Sequence, residues 1–132
     1  MSVGLLIISH EKLGQVLLEI AVNAIGKNPM RTECVSVTAA SAPERLTQLA
    51  HEKADSLDQG QGILVLTDLY GSTPGNIACT LMKRHRTSVV SGINLPMLLR
   101  VLNYPQLRLE ELADKAVSGG KEGIMDCRAH VF

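Results

Sequence analysis

Val3-Gly4-Leu5-Leu6-Ile7-Ile8-Ser9-His10 decides how the rest of the chain is read. Its apolar residues do not alternate with polar ones, so both faces of the segment must be covered. That is the signature of a strand inside a parallel sheet, and the run is far shorter than the roughly 20 residues of a membrane span. Leu13, Val16, Leu17, Ile20, Ala21, Ala24 and Ile25 follow at helical spacing, and Gly26 and Asn28-Pro29 close the helix. His10 is therefore expected in the turn at the carboxyl end of a central strand. In open α/β sheets that rim binds ligands.

Working outward, Glu33–Thr38 alternates around Val35 and Val37, a more polar strand expected nearer the edge. Ser41 and Glu44 have capping-box spacing, and Leu46, Leu49, Ala50, Ala54 and Leu57 give a second amphipathic helix. Ile63-Leu64-Val65-Leu66-Thr67 repeats the opening theme: an apolar run that stops at one ionisable residue, Asp68. Thr73 is expected to cap a third helix, with Pro74 in its first turn. Thr87–Ser91 is a fourth strand, and Asn94 caps a helix carrying Leu98, Leu99, Val101 and Leu102. A further helix over Leu109–Val117 is expected to break at Gly119-Gly120, with a resumed stretch of helix before Gly123 left open, ahead of a weakly alternating strand at about Met125–Phe132. Strands alternating with helices predict a three-layer α/β domain over residues 1–132, with a mostly parallel, doubly wound sheet.

The chain has 132 residues, enough for one core, and 45% are hydrophobic. Aromatic residues are only 2%, against base stacking on nucleic acid, and 13 Lys+Arg balance 13 Asp+Glu, so no basic excess points to DNA, RNA or an anionic membrane. Cys34, Cys79 and Cys127 are widely spaced with no C-x-x-C pair, giving no metal or disulfide framework. Cys34 and Cys79 sit at apolar pattern positions and are expected in the core. With no basic leader or spanning run, a cytoplasmic protein without membrane insertion is expected.

His10, Asp68 and the start of the third helix converge on one rim if the first and third strands are neighbours, as in common doubly wound orders. A carboxylate on one ring nitrogen fixes the tautomer and leaves the other nitrogen free as a nucleophile. A helix N-terminus, with the Ser72 and Thr73 hydroxyls, offers donors to a phosphate group. Together these groups suit phosphoryl transfer, which needs positioning and charge stabilisation. By residue type alone, an incidental role for His10, a turn-capping role for Asp68 and a purely structural Thr73-Pro74 stay open. Leu69, Tyr70, Leu95, Pro96 and Met97 fit an apolar surround of the site, the core, or a dimer interface equally. His51 is placed on the polar side of its helix, and His85 in Lys83-Arg84-His85-Arg86 at a solvated helix end. No histidine pair has ligand spacing and no glycine-rich nucleotide loop is present, so neither a metal nor another cofactor is expected.

The strand ending in Ser9-His10, the stretch Leu66-Thr67-Asp68-Leu69-Tyr70-Gly71-Ser72-Thr73-Pro74-Gly75-Asn76, and Ser91-Gly92-Ile93-Asn94-Leu95-Pro96-Met97-Leu98 resemble the mannose-type enzyme IIA domains of the bacterial phosphoenolpyruvate-dependent sugar phosphotransferase system. The resemblance covers nearly the whole chain. It implies that His10 takes a phosphoryl group from the phosphocarrier protein HPr and passes it to an enzyme IIB component, with Asp68 orienting the ring. It also implies a homodimer in which the terminal strand is exchanged as an antiparallel edge strand. One departure is Gly71-Ser72-Thr73-Pro74 where the family often has Gly-Gly-Ser-Pro; threonine keeps the hydroxyl. Two other functions stay open: a regulatory phosphoacceptor whose partner choice follows His10 phosphorylation, and a flavodoxin-like cofactor binder, which the scarcity of aromatics disfavours.

Overall fold

A computed structural model describes residues 2–130. Four strands, β1 (Gly4–His10), β2 (Thr32–Val37), β3 (Ile63–Thr67) and β4 (Thr87–Ser91), form one parallel sheet in the order β2-β1-β3-β4. The polar β2 lies at an edge, as its composition predicts, and the two apolar runs lie in the centre. Five helices connect or cover the strands: α1 (Leu13–Ile25), α2 (Pro43–Leu57), α3 (Thr73–Thr80), α4 (Leu95–Leu102) and α5 (Leu109–Glu122). Leu5, Ile7, Leu64 and Leu66 point to one face and pack with α1, α4 and α5. Leu6, Ile8, Ile63 and Val65 point to the other and pack with α2 and α3. The missing alternation in β1 and β3 follows directly, because period-2 side chains meet a helical layer on either side.

Several local expectations fail for identifiable reasons. Glu44 does not complete a capping box: α2 starts at Pro43 after Ala42, and Ser41 Oγ pairs with Thr38 Oγ1 at 3.0 Å instead. Gly119-Gly120 does not end α5, which runs on to Glu122. Both glycines are buried contacts: a Cβ on Gly119 would stand 2.5 Å from Arg100 Cβ, and one on Gly120 2.9 Å from Met97 Cε. They let α5 press against α4. No strand occupies the described part of the 125–132 segment, and residues 131–132 lie outside the described residues. Cys127–His130 instead form a 3-10 turn. The Asp126 carboxylate accepts the Arg128 N–H at 3.0 Å and pairs with its guanidinium, which draws the backbone into that turn. Among α1's apolar positions, Leu13, Val16 and Ile20 remain exposed, while Gly14 and Ala21 are buried. Cys34 is partly buried, and burial pushes its thiol up to about 11; Cys79, expected inside, is exposed.

Candidate functional site

β1 runs two residues beyond the end of β3. Ile8 pairs with Thr67, so His10 and Asp68 emerge side by side at the carboxyl rim. Asp68 Oδ2 accepts two hydrogen bonds from His10, one from its main-chain N–H at 2.9 Å and one from ring Nδ1 at 2.9 Å. A carboxylate oxygen only accepts, so Nδ1 carries the proton, and whenever the ring is neutral its lone pair lies on Nε2. The His10 side chain is 47% exposed and that of Asp68 only 10%. The steering acid is sheltered while the ring faces solvent. Burial pushes the Asp68 carboxyl up, but hydrogen bonds from the His10 main chain and ring, with the ring's charge, outweigh it and hold the group below its ordinary value. The other oxygen, Oδ1, is buried and unpartnered among the described residues, so all of Asp68's pairing goes to His10.

The turn after β1 is pinned from several sides. Buried Ser9 accepts the Gly14 N–H on its Oγ at 2.8 Å, which ties the first turn of α1 to the strand. Only glycine fits that contact: a Cβ on Gly14 would meet Ile7 Cγ2 at 2.4 Å. The Glu11 N–H donates to Val37 O at 2.9 Å, and Glu11 itself adopts φ +50°. His10 is thus anchored to both neighbouring strands.

A pocket of about 390 Å³ opens beside the ring, lined by His10, Glu11, Thr38, Ser41 and Thr73 with apolar residues of β2 and α2. Thr73 lines the same pocket as His10. Ser72 is not among the lining residues; its Oγ donates to Leu69 O at 2.6 Å. Ser72, not Thr73, is the N-cap of α3, and its side chain makes no cap bond; its hydroxyl donates backward to Leu69 O. Thr73 is the first helical residue, and Pro74 loses nothing there because the leading N–H groups of a helix have no intrahelical acceptor. Leu69 and Tyr70 are exposed, whereas Met97 is buried in the core. The segment after β4 is tied to the same rim: the Gly92 and Ile93 N–H groups donate to Thr67 O, Asn94 caps α4 by accepting the Met97 N–H at 2.9 Å, and its amide donates to Gly120 O at 3.1 Å. Glu11, Thr38 and Ser41 were missed in the sequence. The signal for the latter two was the β2-β1-β3 order, which sets the loop after β2 against His10.

The other histidines lie elsewhere. His85 is not a solvated residue: its side chain is 10% exposed, with Nε2 at 2.8 Å from Asp55 Oδ1 and Nδ1 at 3.0 Å from Asp58 Oδ2. His51 Nε2 meets Thr80 Oγ1 at 3.0 Å and joins α2 to α3. Among the described residues, no three His, Cys, Asp or Glu side chains gather as a metal site, and no helix is long and apolar enough to cross a membrane.

The family described as PTS system fructose IIA component (EIIA-man) matches residues 4–117. The chain belongs to that family. The Escherichia coli K12 PTS system mannose-specific EIIAB component is 26% identical over 132 residues, covering 98% of this chain and 41% of that protein. The Bacillus subtilis PTS system fructose-specific EIIA component is 27% identical over 90 residues, 67% of this chain and 62% of that one. The chain therefore spans about 41% of the length of the E. coli relative. In structure it is similar to the mannose/sorbose specific IIA subunit from Enterococcus faecalis, with a TM-score of 0.86, 25% identity, and coverage of 96% and 95% of the two chains. The EIIA-man family thus shares the parallel α/β architecture described above.

Proposed function

We propose that this EIIA-man protein is a phosphoryl carrier in which His10 Nε2 accepts a phosphoryl group from phospho-HPr and passes it to an enzyme IIB component. One observation carries the reading: Asp68 Oδ2 holds both the main chain and Nδ1 of a solvent-facing His10. The Nε2 lone pair attacks phosphorus as the P–N bond to the donor imidazole breaks, and the bonding electron pair returns to the donor ring. The Nδ1 proton stays in place, hydrogen-bonded to Asp68, which offsets the positive charge that develops on the phosphorylated ring. The start of α3, with Thr73 in the same pocket, supplies N–H and hydroxyl donors to the phosphoryl oxygens. The Ser72 hydroxyl hydrogen is already donated to Leu69 O, so the contacts first assigned to both hydroxyls rest on Thr73.

The test is label transfer from phosphoenolpyruvate through enzyme I and HPr to this protein, followed by a chase with a IIB component. Wild type should take up one acid-labile, base-stable phosphoryl group and lose it to IIB. His10→Ala should keep its fold by circular dichroism and take up none. Full labelling of His10→Ala would put the acceptor elsewhere and overturn the assignment. Loading without onward transfer to any IIB component would leave a phosphoacceptor and remove the carrier role.

A further inference from the structure

Glu11 is the only residue other than glycine with positive φ among the described residues, at +50°. A Cβ makes that backbone state unfavourable, and glycine would occupy it freely. The fold demands the conformation, because the chain must turn within a few residues for the Gly14 N–H to reach Ser9 Oγ. The fold does not demand a glutamate. Strain retained next to a reacting group points to what the side chain does. Glu11 is exposed, lines the His10 pocket, and enters none of the ion pairs among the described residues. Its carboxylate, unpaired among the described residues, therefore stands on the wall of the pocket where a phosphoryl group of roughly −2 charge would be carried.

We propose that Glu11 sets the phosphoryl equilibrium of His10: its carboxylate disfavours the phosphorylated state and drives the group onward to the acceptor. This rests on the carrier reading above. In unloading, the Nε2–P bond breaks, its electron pair returns to the ring, and phosphorus bonds to the acceptor's nucleophile. Asp68 keeps the Nδ1 proton throughout. Glu11 forms no bond to phosphorus; it acts only through its field, and only the charged product feels it.

The experiment is the partition of labelled phosphate between HPr and this protein at equilibrium, for wild type, Glu11→Gln and Glu11→Gly. Glu11→Gln removes the charge and keeps the strained backbone, while Glu11→Gly removes both. Both should shift the partition toward phospho-His10 by a similar factor, about 3- to 10-fold at low ionic strength. The difference from wild type should shrink as salt approaches about 0.5 M. Glu11→Gly alone should gain thermal stability, which separates charge from strain. An unchanged partition in Glu11→Gln, or a shift confined to Glu11→Gly, would overturn the proposal while leaving His10 the acceptor. Failure of wild-type His10 to take any label from HPr would overturn both readings together.

Discussion

Asp68 offers a test in which charge and hydrogen bonding separate. Its Oδ2 accepts from both the main-chain N–H and the ring of His10. In Asp68→Asn the amide oxygen must take the Oδ2 position, because an NH₂ group there would oppose the His10 N–H. The amide nitrogen then falls at the buried Oδ1 position, which has no partner among the described residues. The tautomer of His10 is kept, and the negative charge is lost. A hydrogen bond to a charged acceptor contributes about 1.5–3 kcal/mol against 0.5–1.5 for a neutral one, so about 1–2 kcal/mol of stabilisation of the phosphorylated ring disappears. Loading from phospho-HPr should slow by about 5- to 30-fold. Asp68→Ala removes the bond altogether and frees the tautomer, so the loss rises to about 10- to 150-fold. It also leaves the His10 N–H without its acceptor, costing about 1–3 kcal/mol of folding stability. Rapid-quench labelling gives the rates, and ring ¹⁵N shifts of His10 give the tautomer. Wild-type loading by Asp68→Ala would show that the carboxylate does not steer the ring, and a changed tautomer in Asp68→Asn would show that the amide oxygen does not take over the Oδ2 bond.

Two further outcomes follow from the same geometry. Gly14→Ala should lose about 1–3 kcal/mol in urea unfolding, because overpacking against Ile7 Cγ2 at 2.4 Å outweighs the gain in helix propensity; an unchanged midpoint would mean that α1 does not depend on this close approach. Asp68 and Asp58 both titrate below their ordinary values; burial is outweighed by hydrogen bonds from His10 at Asp68, and a hydrogen bond from His85 leads at Asp58. The unfolded chain then binds more protons than the folded one, so this stability is complete above about pH 4 and is lost as pH falls through the folded values. Unfolding midpoints at about pH 6 and about pH 3 should diverge more in wild type than in Asp68→Asn, and equal divergence would remove Asp68 from the acid response.

The parts of the fold that the sequence made visible are those where burial erases alternation. β1 and β3 are covered on both faces and stand out as solid apolar runs, and the ionisable residue that stops each run lands at the same rim. The His10–Asp68 pair was therefore legible from two strand ends and one topological rule. Glycine was harder to read, because one symbol stands for different needs. Gly26 does end α1 in the left-handed conformation, but Gly119 and Gly120 serve a helix contact and interrupt nothing. His85 was misread because the carboxylates that enclose it come from Asp55 and Asp58, about 30 positions away, and local pattern holds no trace of them.

Glu11 shows where reading from local pattern stops. As a residue type it looks like an ordinary exposed acid at the start of a helix, where negative charge is welcome. Its meaning comes from a backbone angle that only the assembled turn imposes, through Ser9, Gly14 and Val37. Asp68 and Glu11 then act on the same ring in opposite senses. Asp68, bonded to Nδ1, favours the positive charge of the phosphorylated ring. Glu11, on the pocket wall, opposes the negative charge of the phosphoryl group. If His10 is the carrier proposed above, it must accept and release the same group with little net change in free energy, and two carboxylates with opposed effects on one imidazole meet that requirement.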